Sequence, residues 1–178
     1  RAGYESKAWA VLFFTGVVVD SGKINKKSAR CVRGGPMEPR AFEASIVSGD
    51  RVLEDSLTGL TWQGCAAGLT GEACGGGSPE GMSWQDALAY CEGLTWGGES
   101  DWRLPNSEEL QSIASYRCEA PAIDSSAFPG TPGWHFWSSS SSMETASIAW
   151  DLSFERGEVV RDYGKTVALH VRCVRGGI

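Results

Sequence analysis

With only two histidines, and no two of its six cysteines spaced as Cys-x-x-Cys, the chain has little from which to build a metal-histidine centre, a zinc site or a thioredoxin-like redox motif. Long hydrophobic runs are missing too. The most apolar stretch, residues 10–19, is interrupted by Thr15 and Gly16 and is too short to span a bilayer. Nor does it have the layout of a signal peptide, because a strand-like pattern and a basic segment follow it where a small-residue cleavage site belongs. If the protein is exported, its targeting signal is expected upstream of Arg1. No helix bearing Lys and Ser or Thr follows Gly75-Gly76-Gly77, which excludes a phosphate-binding loop. His135 and His170 sit in no catalytic motif, and Ser138 to Ser142 lack the glycine pattern of a nucleophile elbow. An enzyme is therefore not expected.

What the chain does hold is aromatic and glycine-rich. Its 178 residues, 42% hydrophobic and 21% charged, are enough for one sizeable domain and a smaller appendage. Eight tryptophans and 23 glycines suit an irregular, loop-rich fold pinned by aromatic anchors. An even number of cysteines reads as a disulfide framework, and hence as a secreted or cell-surface protein in an oxidising compartment. The formal charge of −6 is unevenly spread: residues 1–35 carry seven Lys/Arg against two acids, and residues 36–178 carry nine against twenty. So acidic a body repels nucleic acid and anionic lipid, and neither nucleic-acid binding nor membrane insertion is expected. The basic head suits an acidic neighbour.

The sequence also repeats itself. Ala8-Trp9-Ala10-Val11-Leu12-Phe13, then Gly16, Val18, Val19, Gly22, Lys23 and Arg30-Cys31-Val32-Arg33-Gly34-Gly35 form the first series. The second is Ala149-Trp150-Asp151-Leu152-Ser153-Phe154, Gly157, Val159, Val160, Gly164, Lys165 and Arg172-Cys173-Val174-Arg175-Gly176-Gly177, and a single one-residue gap aligns the two. The expected organisation is the closing strands of one module at residues 1–35, a proline-containing joint at 36–39 and a complete module at 40–178. Each closing part reads as a hairpin and a final strand. Arg1 falls opposite Ser142, so the chain is expected to derive from a longer tandem-repeat protein cut or truncated in that serine-rich segment.

Within the complete module, Val52 to Asp55 and Leu60 to Trp62 read as short strands around a turn at Ser56 to Gly59. Ser83 is an N-cap with Asp86 three residues on, and Trp84, Ala87, Leu88 and Cys91 fall on one face of a first helix. Asn106 and Glu109 suggest a capping box for a second helix that buries Leu110, Ile113 and Ala114. Loop is expected from there to the terminal strands.

These residues resemble a known family. Asp55, Thr58-Gly59-Leu60, Trp62, Trp84-Gln85-Asp86-Ala87, Tyr90-Cys91, Asp101-Trp102-Arg103-Leu104-Pro105-Asn106, Glu109-Leu110, Ile123-Asp124, Phe128, Phe136-Trp137-Ser138-Ser139 and Arg172-Cys173-Val174-Arg175 look like the Lcl C-terminal domain family. That family is named for the C-terminal domain of a bacterial collagen-like adhesin. The resemblance implies an α+β, C-type-lectin-like fold of the kind shared with formylglycine-generating enzymes, with two helices, small twisted antiparallel sheets and long loops. It also implies a bacterial, extracellular setting, often with tandem copies, and a named member that binds sulfated glycosaminoglycans. That ligand needs a cationic patch, and this module is acidic. Arg33-Gly34-Gly35 and Arg175-Gly176-Gly177 are similar to the end of the formylglycine-generating enzyme motif, whose chemistry needs free cysteines in a reactive pocket. The resemblance further implies a bridge from Cys91 to Cys173, stapling the first helix to the last strand. Cys65 and Cys74 are expected to close a short surface loop, worth about 2–3 kcal/mol through loop entropy. Cys31 and Cys118 either pair with each other, or Cys31, the counterpart of Cys173, pairs with a helix cysteine of a preceding module.

The expected function is non-enzymatic ligand binding or adhesion at the cell surface, toward carbohydrate or a protein partner, with residues 129–144 as the contact loop. The other reading is a structural subunit of an extracellular fibre. Trp134 and His135, followed by Ser139, Ser140 and Ser141, offer an aromatic face and hydroxyls of the kind that take a sugar; alternatively Trp134 plugs its loop onto the domain. Trp102 and Arg103 read as core filler and internal ion pair, and Trp62, Trp84, Trp137 and Trp150 as core. No cofactor is expected, although Asp151, Glu155, Glu158 and Asp162 suit Ca²⁺ if they converge and otherwise form a solvated acidic face. A neighbouring module or subunit is expected to dock on residues 1–35.

Overall fold

The computed structural model describes residues 6–12, 17–31, 33, 42–118 and 120–177. It forms two compact units, Arg1–Pro39 and Arg40–Ile178. The expected joint at residues 36–39 and Phe13 lie outside the described residues, as does the Trp9 side chain. In the first unit β1 (Lys7–Leu12) and β2 (Val17–Gly22) make the expected antiparallel hairpin, in register from Lys7 opposite Gly22 to Leu12 opposite Val17.

The second unit opens with β3 (Phe42–Val47), β4 (Asp50–Asp55) and β5 (Thr61–Gln63). The turn between β4 and β5 is built on Asp55, which is buried. Its carboxylate accepts from the Leu57 N–H at 3.0 Å and the Thr58 hydroxyl at 2.6 Å, and its carbonyl from the Gly59 N–H at 2.8 Å. Closing its own turn in this way satisfies the buried Asp55 carboxylate. The short strands β6 (Leu69–Thr70) and β7 (Gly76–Gly77) form a two-stranded ladder closed by the Cys65–Cys74 disulfide, as expected.

After β8 (Gly81–Met82), helix α1 (Trp84–Glu92) starts at Ser83, whose hydroxyl accepts from the Asp86 N–H. It turns Ala87 and Cys91 inward, and Cys91 is bridged to Cys173 as the family pattern implies. Helix α2 (Ser107–Ser112) carries the full capping box: Asn106 Oδ1 accepts from Glu109 N at 2.8 Å, and Glu109 Oε2 from Asn106 N at 2.9 Å. The remaining strands are β9 (His135–Ser141), β10 (Ala149–Ser153), β11 (Glu158–Val160), β12 (Leu169–His170) and β13 (Val174–Arg175). They complete a four-stranded sheet ordered β13-β5-β4-β3 and a five-stranded sheet ordered β11-β10-β9-β12-β8.

Two expectations need correction. The serine run is no loop: Ser138 to Ser141 belong to β9, which lies inside the five-stranded sheet, and both helices pack against it. Ser138 is buried there because its hydroxyl donates to Trp150 O at 2.7 Å while its carbonyl accepts from Trp84 Nε1 at 2.8 Å. The pairing is also not wholly antiparallel, since β12 meets β9 in parallel at His170 and Phe136. The fold is otherwise the expected α+β arrangement of two helices, small sheets and two disulfides. Its core is aromatic, with Trp62, Trp137, Phe128, Phe136 and Phe154 fully buried. Each such ring contributes about 2–3 kcal/mol of transfer free energy. Cys31 and Cys118 are each a free thiol in the structure.

Candidate functional site

Trp134 immediately precedes β9 and is 49% exposed. Among tryptophans whose side chains are described, Trp62, Trp96, Trp102 and Trp137 are buried and Trp84 and Trp150 half-buried. The Trp134 carbonyl accepts from the Phe154 N–H at 2.9 Å, which pins its backbone to the sheet. Its indole meets the His135 imidazole edge-on, with ring centroids 5.3 Å apart, and His135 in turn meets Tyr163 edge-on at 4.8 Å.

Beneath these rings lies a buried carboxylate. His135 Nδ1 is 2.5 Å from Asp151 Oδ2, and Asp151 is 1% exposed. The pair arises from register: a bulge between Ala149 and Asp151 sets Asp151 opposite Trp137 and Ser153 opposite His135. His135 and Asp151 are therefore diagonal neighbours on one face, within reach of each other. Burial pushes the Asp151 carboxyl above its ordinary range, and the hydrogen bond and charge of His135 oppose that shift. Asp162, exposed at the rim, adds a like charge. His170 lies in β12 with its ring centroid 5.4 Å from that of Phe136, and burial lowers its pKa.

Ser139, Ser140 and Ser141 are not part of this cluster. They lie toward the far end of β9, Ser140 about 20 Å from Trp134 along the strand. Ser140 Oγ accepts from Ser107 N at 3.1 Å, serving the first turn of α2, and Ser141 Oγ accepts from Lys165 Nζ at 2.6 Å. The Lys165 ammonium also stands 4.0 Å over the Trp84 ring. Aromatic face and serine hydroxyls thus occupy opposite ends of one strand. The four acids do not gather either: among the described residues no group of three or more His, Cys, Asp or Glu is placed to hold a metal ion. Asp151 leaves the acidic face altogether, being buried with His135.

Trp102 and Arg103 behave as structural anchors. Trp102 is buried with its Nε1 donating to Trp96 O and Glu99 O, both at 3.1 Å. Arg103 forks onto Glu109 with two bonds of 2.7 Å and reaches Gly176 O at 3.0 Å, and this pairing holds the Glu109 carboxyl below its usual range. A family model described as the Lcl C-terminal domain matches residues 51–175. The chain belongs to the Lcl C-terminal domain family. No curated protein matches it.

In this Lcl C-terminal domain the residue that sequence reasoning left without a role is Arg172. It is fully buried, yet its hydrogen-bond partners are carbonyls and a hydroxyl: Nη1 donates to Gln63 O at 2.8 Å and Gly64 O at 2.5 Å, and Nη2 to Thr131 Oγ1 at 2.8 Å. Thr131 Oγ1 donates onward to Phe128 O at 2.8 Å, and the guanidinium lies 4.7 Å from the Phe128 ring centre. The segment that leads to Trp134 is fastened to the interior by this arginine. Burial, with a smaller push from the Arg51 charge, lowers its pKa to about 9, so it stays charged at neutral pH. One signal for it was present in the sequence: an arginine precedes the cysteine in both copies of the repeat, Arg30 and Arg172.

Proposed function

We propose that this chain is an extracellular, non-enzymatic adhesion module that takes an uncharged glycan against Trp134. The observation that carries the reading is the exposed indole fixed at its backbone and braced by His135, which is itself anchored on a buried carboxylate. A flat apolar ring held rigid at a surface suits the apolar face of a sugar, because little side-chain freedom is lost on binding. Asp162 at the rim and the acidic balance of residues 36–178 disfavour polyanions such as sulfated glycosaminoglycans. The arrangement of two helices beside small sheets, with long connecting segments, is taken as C-type-lectin-like. Two buried disulfides suit an oxidising compartment, and among the described residues no helix is long and apolar enough to cross a membrane.

The non-enzymatic reading rests on the surroundings of His135: its ring neighbours are Trp134 and Tyr163, and its hydrogen bond goes to Asp151 and not to a hydroxyl or thiol nucleophile. The second reading, a structural subunit of a fibre, is favoured by β1 and β3, each paired along one edge only among the described residues. A glycan array separates them. Binding of neutral glycans by the chain, lost by at least about tenfold in Trp134→Ala with an unchanged melting curve, is expected. A blank array at high concentration from a chain that is isolated only as a polymer overturns the adhesion reading in favour of the fibre.

A further inference from the structure

We infer that the cavity between the four-stranded sheet and the segment from Trp96 to Trp102 is a binding site for an alkylammonium group, the side chain of a lysine presented by a protein partner. It is separate from the surface at Trp134. The cavity, of about 170 Å³, is bounded by residues of all four strands and by that segment. Its sheet wall follows from register. Thr61 of β5 stands opposite both Glu54 of β4 and Arg175 of β13, and Ser45 of β3 stands opposite Val52 of β4. Residues directly opposite share a face, as do residues two apart along a strand, so Val47, Ser45, Val52, Glu54, Thr61 and Arg175 project from one side of the sheet.

The opposite wall is held in place by its own hydrogen bonds. Trp96 Nε1 donates to Arg51 O at 2.7 Å, Gly97 N to Asp50 Oδ2 at 3.0 Å, and Trp96 and Glu99 exchange backbone bonds of 3.0 and 3.2 Å. Gly97 has a φ of +60°, and a Cβ there would come within 2.6 Å of Val52 Cγ2, so only glycine lets the segment lie this close to the sheet. The Trp102 indole N–H is likewise given to carbonyls, so both tryptophans offer the cavity apolar ring and no donor. Val52, Trp96 and Trp102 are buried and form an apolar floor, whereas Val47, Glu54 and Glu99 are exposed at the rim. A site already formed in this way costs little ordering when it is filled.

The charges select the ligand. Among the residues that line the cavity Arg175 alone is cationic, and it is already engaged: Nε donates to Asp101 Oδ1 at 2.5 Å, Nη2 to Asp101 Oδ2 at 3.2 Å, and Nη2 lies 3.2 Å from Glu99 Oε2. Glu54 adds a third negative charge, and its carboxylate makes no hydrogen bond or ion pair among the described residues. Three carboxylates against one guanidinium leave an excess of two negative charges at the rim. An anion is repelled there, and a neutral apolar ligand leaves Glu54 without a partner. A lysine side chain meets both halves of the site: its methylene stem lies on Val47, Val52 and the indoles, and its ammonium turns up to Glu54 and Glu99. The acidic excess of residues 36–178, twenty acids against nine Lys/Arg, draws a partner by its basic surface.

Two-dimensional NMR of the 178-residue chain, titrated with N-acetyl-lysine N′-methylamide, tests this. The Thr61, Gly97 and Glu99 amide signals should shift saturably with a dissociation constant of about 1 mM, the range open to a single side chain. The corresponding norleucine amide, which lacks the ammonium, should bind at least about tenfold more weakly. Glu54→Gln, an exposed change that keeps the shape of the side chain, should weaken lysine binding about tenfold, and about 0.5 M salt should weaken it too. Trp134→Ala should leave it unchanged, which distinguishes this site from the glycan surface. The inference is overturned if no signal shifts at about 20 mM, if the norleucine amide binds equally well, or if Glu54→Gln has no effect. Cadaverine bound at least about tenfold more tightly than the blocked lysine would make the ligand a free diamine and overturn the protein partner.

Discussion

Replacing Cys91 and Cys173 together by alanine opens a loop closed over 82 residues, and replacing Cys65 and Cys74 opens one closed over nine. A crosslink limits the unfolded chain by an amount that grows with the logarithm of the loop it closes. At 25 °C these lengths correspond to about 4.5 and about 2.6 kcal/mol respectively. All four sulfurs are buried, none in a residue more than 2% exposed, so the loss of packing is similar for the two pairs and the difference of about 2 kcal/mol isolates the loop term. For a domain of this size each kcal/mol lowers the melting temperature by about 2–4 °C, so the Cys91/Cys173 variant should melt about 9–18 °C below the parent. Equilibrium urea unfolding gives the two free energies, and near-parallel slopes license the comparison. If the Cys65/Cys74 variant loses as much as the Cys91/Cys173 variant, the bridges act through native packing and the loop-entropy reasoning is refuted.

Asp151→Asn should change how stability depends on pH. Because the folded-state pKa of Asp151 is raised above 3.8, the folded domain holds this proton more tightly than the unfolded chain; that stabilisation is complete below about pH 3.8 and is lost as pH rises through the folded pKa. The parent should therefore lose stability relative to Asp151→Asn between pH 3.5 and pH 7, read as paired urea midpoints; a flat difference contradicts the assignment. Arg172→Met leaves Gln63 O and Gly64 O without their buried donor and should destabilise by about 3 kcal/mol or more. It should also speed hydrogen exchange in residues 128–134, and unchanged exchange there would show that the arginine does not fasten this segment.

The helices were legible because their signals are local: Ser83 with Asp86 and Asn106 with Glu109 sit at fixed spacings, and each cap forms as written in the chain. The same holds for the turn at Ser56 to Gly59 and for the short Cys65–Cys74 loop, whereas the Cys91–Cys173 bridge, closed over 82 residues, was implied by the family resemblance alone. Strand β9 was hidden by composition. Five consecutive serines look like solvated loop, yet Ser138 finds the Trp150 carbonyl and lies flat inside a sheet, something decided by neighbours far along the chain. His135 and Asp151 are sixteen residues apart and meet only through the bulge in β10. No spacing rule announces that contact. After a broken Pro-Gly segment Trp134 could be read as an exposed face or as a plug, and its 49% exposure is decided by the fold, while the serines that seemed its companions are carried away by the rise of the strand.

The Cys91–Cys173 bridge also fixes where mechanical load travels. Tension entering at residue 42 and leaving at residue 177 runs along the backbone to Cys91, crosses the covalent bond to Cys173 and exits through β13. Residues 92–172 lie in a side loop of that path and bear no direct pull. That side loop contains α2, the four strands β9 to β12, Arg172 itself and Trp134 with its brace, while β8, which pairs with β12, and Gln63 and Gly64, which hold Arg172, stay on the loaded path. Pulling on residues 42 and 177 would thus load the covalent bridge before it loads the backbone that carries Trp134.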